Sequence, residues 1–128
     1  MKIIFDTNVL VSALLNTNGT PAKILSLILN MKVKIAYDNR ILFEYIDVIS
    51  RENFGFNEEI ISGLINFIKD TGEYTSADPL NTKFSDESDK KFYEVFKTAN
   101  ADYLITGNKK HFPKDKGIIS PREFLDLY

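Results

Sequence analysis

Short apolar runs alternate with amphipathic stretches along the chain. Residues 2–5 (Lys-Ile-Ile-Phe) are β-branched and aromatic and stop at Asp6, which predicts a buried strand. Residues 9–15 suit a helix. Thr20-Pro21 predicts a helix start, with Thr20 as cap and Pro21 at the first helical position, running to about Met31. Residues 33–37 read as a second strand. Asn39 is expected to cap a helix over about 40–51, and Asn57-Glu58-Glu59 to open another that ends near Gly72. A short, weak strand is expected at 73–77, then a turn-rich loop from Asp78 to Ser88. A helix over 89–99 precedes a strand at 102–106 and the pair Gly107-Asn108. Ile118-Ile119 is a candidate last strand, and Ser120-Pro121-Arg122-Glu123 has the form of a capping box that opens a short helix.

Strands spaced by helical patterns form βαβ units. The expected fold class is therefore α/β, with a mainly parallel sheet of four to five strands covered on both faces. No internal repeat, low-complexity tract or linker interrupts the pattern, so residues 1–128 are expected to form a single domain.

Composition removes several kinds of chemistry. The chain has no cysteine, which excludes disulfides, thiolate metal sites and a catalytic thiol. Its single histidine, His111, excludes a multi-imidazole zinc site within one chain. Sixteen basic residues against eighteen acidic ones leave a net charge of −2, so bulk charge does not draw nucleic acid; a local basic patch or a bound cation must do so. No apolar segment approaches the ~20 residues of a membrane span. Asp6 and Asn8 interrupt the N-terminal apolar run where a signal peptide would continue, so a cytoplasmic protein without a membrane partner is expected.

Ligands of open α/β sheets sit at the carboxyl ends of the strands. Asp6 ends the first strand there, and Thr106-Gly107-Asn108 ends a later one. Asp6 is either a helix cap or a metal ligand or nucleophile. Glu44 lies at the margin of the stripe Ile41, Leu42, Tyr45, Val48, Ile49, where it either reaches solvent or turns into a cleft. Asp89 shares its helix face with Phe92, Tyr93 and Phe96, and is either a cap or a functional carboxylate. Asp86 is either a solvated loop acid or a fourth member of the group. Carboxylates facing one cleft repel by several kcal/mol, on the order of what unit charges ~4 Å apart experience. Such a cluster holds protons or a cation, and all-oxygen donors favour Mg²⁺ or Mn²⁺. Lys109, Lys110, His111, Lys114 and Lys116 follow the Thr106-Gly107-Asn108 edge and form either a solvated loop or a phosphate-holding patch.

In order and spacing, Ile-Ile-Phe-Asp6-Thr-Asn-Val-Leu-Val-Ser-Ala-Leu, Ile41-Leu-Phe-Glu44-Tyr, Asp86-Glu-Ser-Asp89-Lys-Lys-Phe-Tyr-Glu-Val and Ala101-Asp-Tyr-Leu-Ile-Thr-Gly-Asn108-Lys-Lys-His-Phe-Pro113 resemble the PIN-domain family. The likeness is closest to the branch of toxins in toxin–antitoxin systems, similar to VapC-type ribonucleases. It implies a three-layer α/β/α fold and a metal-dependent endoribonuclease that hydrolyses single-stranded RNA. The family's acidic ligands fall on Asp6, Glu44 and Asp89, with Asp86 at a position often acidic in this branch. Its hydroxyl and amide after the first Asp fall on Thr7 and Asn8. Many relatives carry a fourth acid where this chain has Asn108, which leaves one-metal catalysis, slow catalysis or none open. Expected substrate contacts are Asn8, Thr106, Asn108, Lys109, Lys110 and His111. The resemblance also implies a homodimer and a cognate antitoxin. The competing reading is a non-catalytic RNA- or protein-binding module with a degenerate metal site. An aspartyl phosphatase fits less well, because Asn8 stands where that chemistry wants a second acid.

Overall fold

A computed structural model describes all residues, 1–128. Its centre is a five-stranded sheet in the order β3-β2-β1-β4-β5: β1 Lys2–Phe5, β2 Lys34–Tyr37, β3 Glu73–Tyr74, β4 Tyr103–Ile105 and β5 Ile118–Ile119. Every pairing is parallel. Six helices flank the sheet in a three-layer α/β/α arrangement: α1 Thr7–Leu15, α2 Thr20–Leu29, α3 Asn39–Ile49, α4 Glu58–Thr71, α5 Lys90–Thr98 and α6 Pro121–Leu127. The fold class expected from the alternating pattern is the one found. No helix is long and apolar enough to cross a membrane.

The strands read as continuous apolar runs because both faces of a parallel sheet are covered. Ile3, Ile4, Phe5, Leu104 and Ile105 are all fully buried. The order of the strands reverses beside β1, which has β2 on one side and β4 on the other. That reversal opens a crevice at the carboxyl ends of β1 and β4, where Asp6 and Thr106 follow their strands.

Several helix boundaries differ from the expected ones. The cap of α3 is Asp38 rather than Asn39: Asp38 keeps extended backbone and accepts from the Ile41 N–H at 3.0 Å, while Asn39 is already helical. Gly19, not Thr20, holds the cap position of α2, so Pro21 occupies the second helical position, where a missing N–H leaves no bond unmade. The strand expected at 73–77 shrinks to Glu73–Tyr74. The capping box of α6 is complete: the Glu123 N–H donates to Ser120 Oγ at 3.1 Å, and the Ser120 N–H to Glu123 Oε1 at 3.0 Å. Gly72 follows α4 because a Cβ there would stand 2.7 Å from the Ile35 carbonyl oxygen.

Candidate active site

Four carboxylates line one pocket of about 190 Å³ at the carboxyl edge of the sheet: Asp6, Glu44, Asp86 and Asp89. They come from three parts of the chain, with Asp86 and Asp89 in one turn, and each is positioned by a different device.

Asp6 leaves β1 and stands at the cap position of α1, but it makes no full capping bond. Its Oδ2 instead accepts from the Thr106 hydroxyl at 2.7 Å, across the β1–β4 pairing. Burial pushes the Asp6 carboxyl above its ordinary value; Thr106 and the Asn8 amide pull it back, and the fields of Asp89 and Glu44 push it up again. Thr106 is fully buried, and its oxygen also accepts from the Asn108 N–H at 3.0 Å. Its hydroxyl is therefore spent on holding Asp6 and the following turn.

Glu44 is set by its neighbour. The buried Tyr45 hydroxyl donates to the Phe5 carbonyl, tying α3 to the end of β1 one residue before Asp6. Glu44 then turns into the cleft instead of out to solvent. The Thr7 hydroxyl donates to Glu44 Oε2, and Lys91 Nζ stands 2.8 Å from Glu44 Oε1.

Asp86, not Asp89, makes the capping bond of this segment. Asp89 sits at the start of α5 with no capping bond, so its carboxylate is free to face the pocket. Asp86 is the cap, accepting from the Ser88 N–H at 2.9 Å and the Ser88 hydroxyl at 2.7 Å. Those bonds hold the Asp86 carboxyl below its ordinary value. Burial raises the Asp89 carboxyl, and Asp86 raises it further, against the opposing pull of His111 and Lys91. The His111 ring nitrogen Nδ1 lies 3.5 Å from Asp89 Oδ2.

The donor set suits a hard divalent cation, since every candidate ligand is a carboxylate oxygen and Lys91 already seats a positive charge on Glu44. No three of the acidic and histidine side chains stand close enough together, as they lie, to hold one ion. The structure brings residues 6, 44 and 89 to one pocket but not into a closed ligand set. Lys91 supplies a counter-charge to Glu44 from within the chain, and the His111 ring stands beside Asp89.

Two basic residues at this site escaped the sequence reading. Arg51 lines the acidic pocket and also a larger cleft of about 590 Å³ between α3 and α4, walled by Ile46, Phe56 and Ile61. A signal for it existed: Glu44, Val48 and Arg51 follow i, i+4, i+7, and all three line the pocket. Lys91 had no such signal, because two residues beyond Asp89 on an ideal helix points to the far side. Of the expected substrate contacts, Asn8 is exposed within the pocket lining. Lys109 is turned to Glu123 at 2.8 Å, which lowers the Glu123 carboxyl to about 2. Asn108 and Lys110 are exposed and do not line the pocket.

Residues 2–110 match the PIN domain family. An uncharacterized protein of Methanocaldococcus jannaschii is 35% identical over 116 residues, which span 85% of this chain and 72% of that protein.

Proposed function

The chain belongs to the PIN domain family, whose members are generally nucleases that use divalent metal ions, and on that premise we propose that it is a metal-dependent endoribonuclease acting on single-stranded RNA. The observation that carries the reading is the gathering of Asp6, Glu44, Asp86 and Asp89 in one pocket at the switch point of a parallel sheet. Asp6, Glu44 and Asp89 would hold Mg²⁺ or Mn²⁺, with Asp86 beside them. Such an ion, when bound, supplies a polarised phosphate and a water of lowered pKa.

The rest of the work falls to the chain's own side chains. Thr106 keeps the Asp6 carboxylate ionisable in a buried place by donating to it. Thr7 and Lys91 hold Glu44 at the pocket wall. Asn8 offers an exposed amide to a phosphate or water at the pocket mouth. Arg51 presents a fork of donors suited to a phosphate oxygen pair. His111, whose ring nitrogen lies 3.5 Å from Asp89 Oδ2, adds a polar group beside that carboxylate.

On the same reading the chain is the cytoplasmic toxin of a toxin–antitoxin pair, a homodimer silenced by a cognate antitoxin; its likeness to that branch of the family supports this. A second reading, a non-catalytic RNA- or protein-binding module, is favoured by the neutral Asn108 and by Lys91 lying on Glu44. Incubation of unstructured RNA with the protein and Mn²⁺ separates the two. Cleavage that is lost in EDTA and in Asp6→Asn supports the nuclease. Tight RNA binding without cleavage supports the module, and cleavage that survives Asp6→Asn contradicts the proposed site.

A further inference from the structure

Glu44 has both oxygens engaged, one by the Thr7 hydroxyl and the other by Lys91. The Lys91 side chain is only 12% exposed. Its ammonium also donates to the Ser88 carbonyl and lies 5.0 Å from the centroid of the Phe92 ring. A lysine so covered needs a fixed partner for its charge. Here the partner is a carboxylate of the proposed cation site, and the Ser88 contact ties the same ammonium to the turn between Asp86 and Asp89. The chain thus places its own cation among the acids that would receive a metal.

We infer that Lys91 is the resident counter-ion of the acidic pocket: its ammonium holds the Glu44 position in the metal-free protein, yields it when a divalent cation enters, and thereby sets the affinity for that cation. The inference rests on the metal site proposed above. The physics is competition. Glu44 Oε1 cannot serve the ammonium and a dication equally, and like charges gathered at one carboxylate repel. Loading therefore requires the Lys91–Glu44 pair to open, and the cost of opening it is subtracted from the binding of the metal. Both Glu44 oxygens are thus engaged within the chain, by Thr7 and Lys91, and no three carboxylates converge on one point.

Mn²⁺ titration calorimetry on the full chain, wild type against Lys91→Met and Lys91→Arg, tests this. Methionine keeps the length and apolar stem of the side chain and removes its charge. The expected result is Mn²⁺ binding tighter by about 10-fold or more in Lys91→Met, and unchanged within error in Lys91→Arg. Unaltered protein supplies a second readout that needs no substitution: acetylation of lysines at constant pH, read by peptide mass spectrometry. Mn²⁺ should raise the labelling of Lys91 and leave that of Lys34, on the far side of β2's start, unchanged. If Mn²⁺ binds while Lys91→Met has equal or weaker affinity and Lys91 labelling does not rise, the counter-ion role is overturned and the metal site stands. If no variant and no wild-type sample binds Mn²⁺, the metal reading itself falls, and this inference with it.

Discussion

The Thr106 hydroxyl donates to Asp6 Oδ2 at 2.7 Å, joining side chains a hundred residues apart across the central strand pair. The bond does two things. It satisfies a carboxylate that has left water, and it fixes that carboxylate where it lines the pocket. A hydrogen bond to a buried charged group contributes roughly 1.5–3 kcal/mol. Thr106→Val keeps the shape and removes the donor. It should destabilise the fold by about 2 kcal/mol at pH 7, read by urea unfolding, and weaken Mn²⁺ binding in the same preparation.

Asp6→Asn should act in the opposite direction on stability. Burial holds the native Asp6 carboxyl above its ordinary value. Between the ordinary value and the raised one, the native state binds more protons than the unfolded state. Stability is therefore lost as pH rises through that window, and the penalty is fully present above it. Asparagine removes the buried charge and still accepts from Thr106. Asp6→Asn should melt ~3 °C higher than wild type at pH 7, with the gap closing below about pH 4, while losing nuclease activity. Differential scanning across that range checks the sign.

Glu94 tests the framework rather than the chemistry. It is buried, and it accepts from Arg40 at 2.8 Å and from the Leu80 N–H at 2.8 Å, which pins the 78–86 loop to α5. Burial would raise its carboxyl, but Arg40 and the Leu80 amide more than offset this and hold it below its ordinary value. A lowered native value contributes stability above the unfolded value that is lost as pH falls through the native one. Glu94→Gln should cost about 2 kcal/mol at pH 7 and less at pH 4, with Mn²⁺ affinity little changed.

Arg51 and Lys109 should separate in a salt titration. Arg51 lines the acidic pocket and has an exposed 3.3 Å pair with Asp47 Oδ2, whereas Lys109 is paired with Glu123 away from the pocket. Each phosphate contact on a single strand contributes about −0.7 to the slope of log K against log salt. Arg51→Met should flatten that slope by about 0.7 for an unstructured RNA. Lys109→Met should leave it unchanged. Equal effects at both positions would contradict the assignment of Arg51.

What the sequence made legible followed from patterns that the backbone enforces. The run Ile3-Ile4-Phe5 ending at Asp6 marks a central strand and its carboxyl edge, because a parallel strand buried on both faces carries no polar residue until it leaves the sheet. Asp89 was legible through its face-sharing with Phe92 and Phe96, both buried. The Lys91–Glu44 pair was not, because it joins two helices whose relative placement no local period encodes. The division of labour between Asp86 and Asp89 was hidden for a similar reason. The turn at Ser88 decides that Asp86 makes the capping bond, while both carboxylates line the pocket. Lys109 read as free because its partner Glu123 lies in the capping box of another helix.

On the proposed function, Asp6, Glu44 and Asp89, brought together from distant parts of the chain, bind one divalent ion in one place. Calorimetric titration of the metal-free protein with Mn²⁺, repeated on Asp89→Asn, asks this most directly. Saturable binding is expected in the wild type, weakened by more than about 10-fold in Asp89→Asn, a loss that removal of supporting residues alone already reaches at metal sites. Absence of saturable binding in the wild type, or equal affinity in the two proteins, would contradict it.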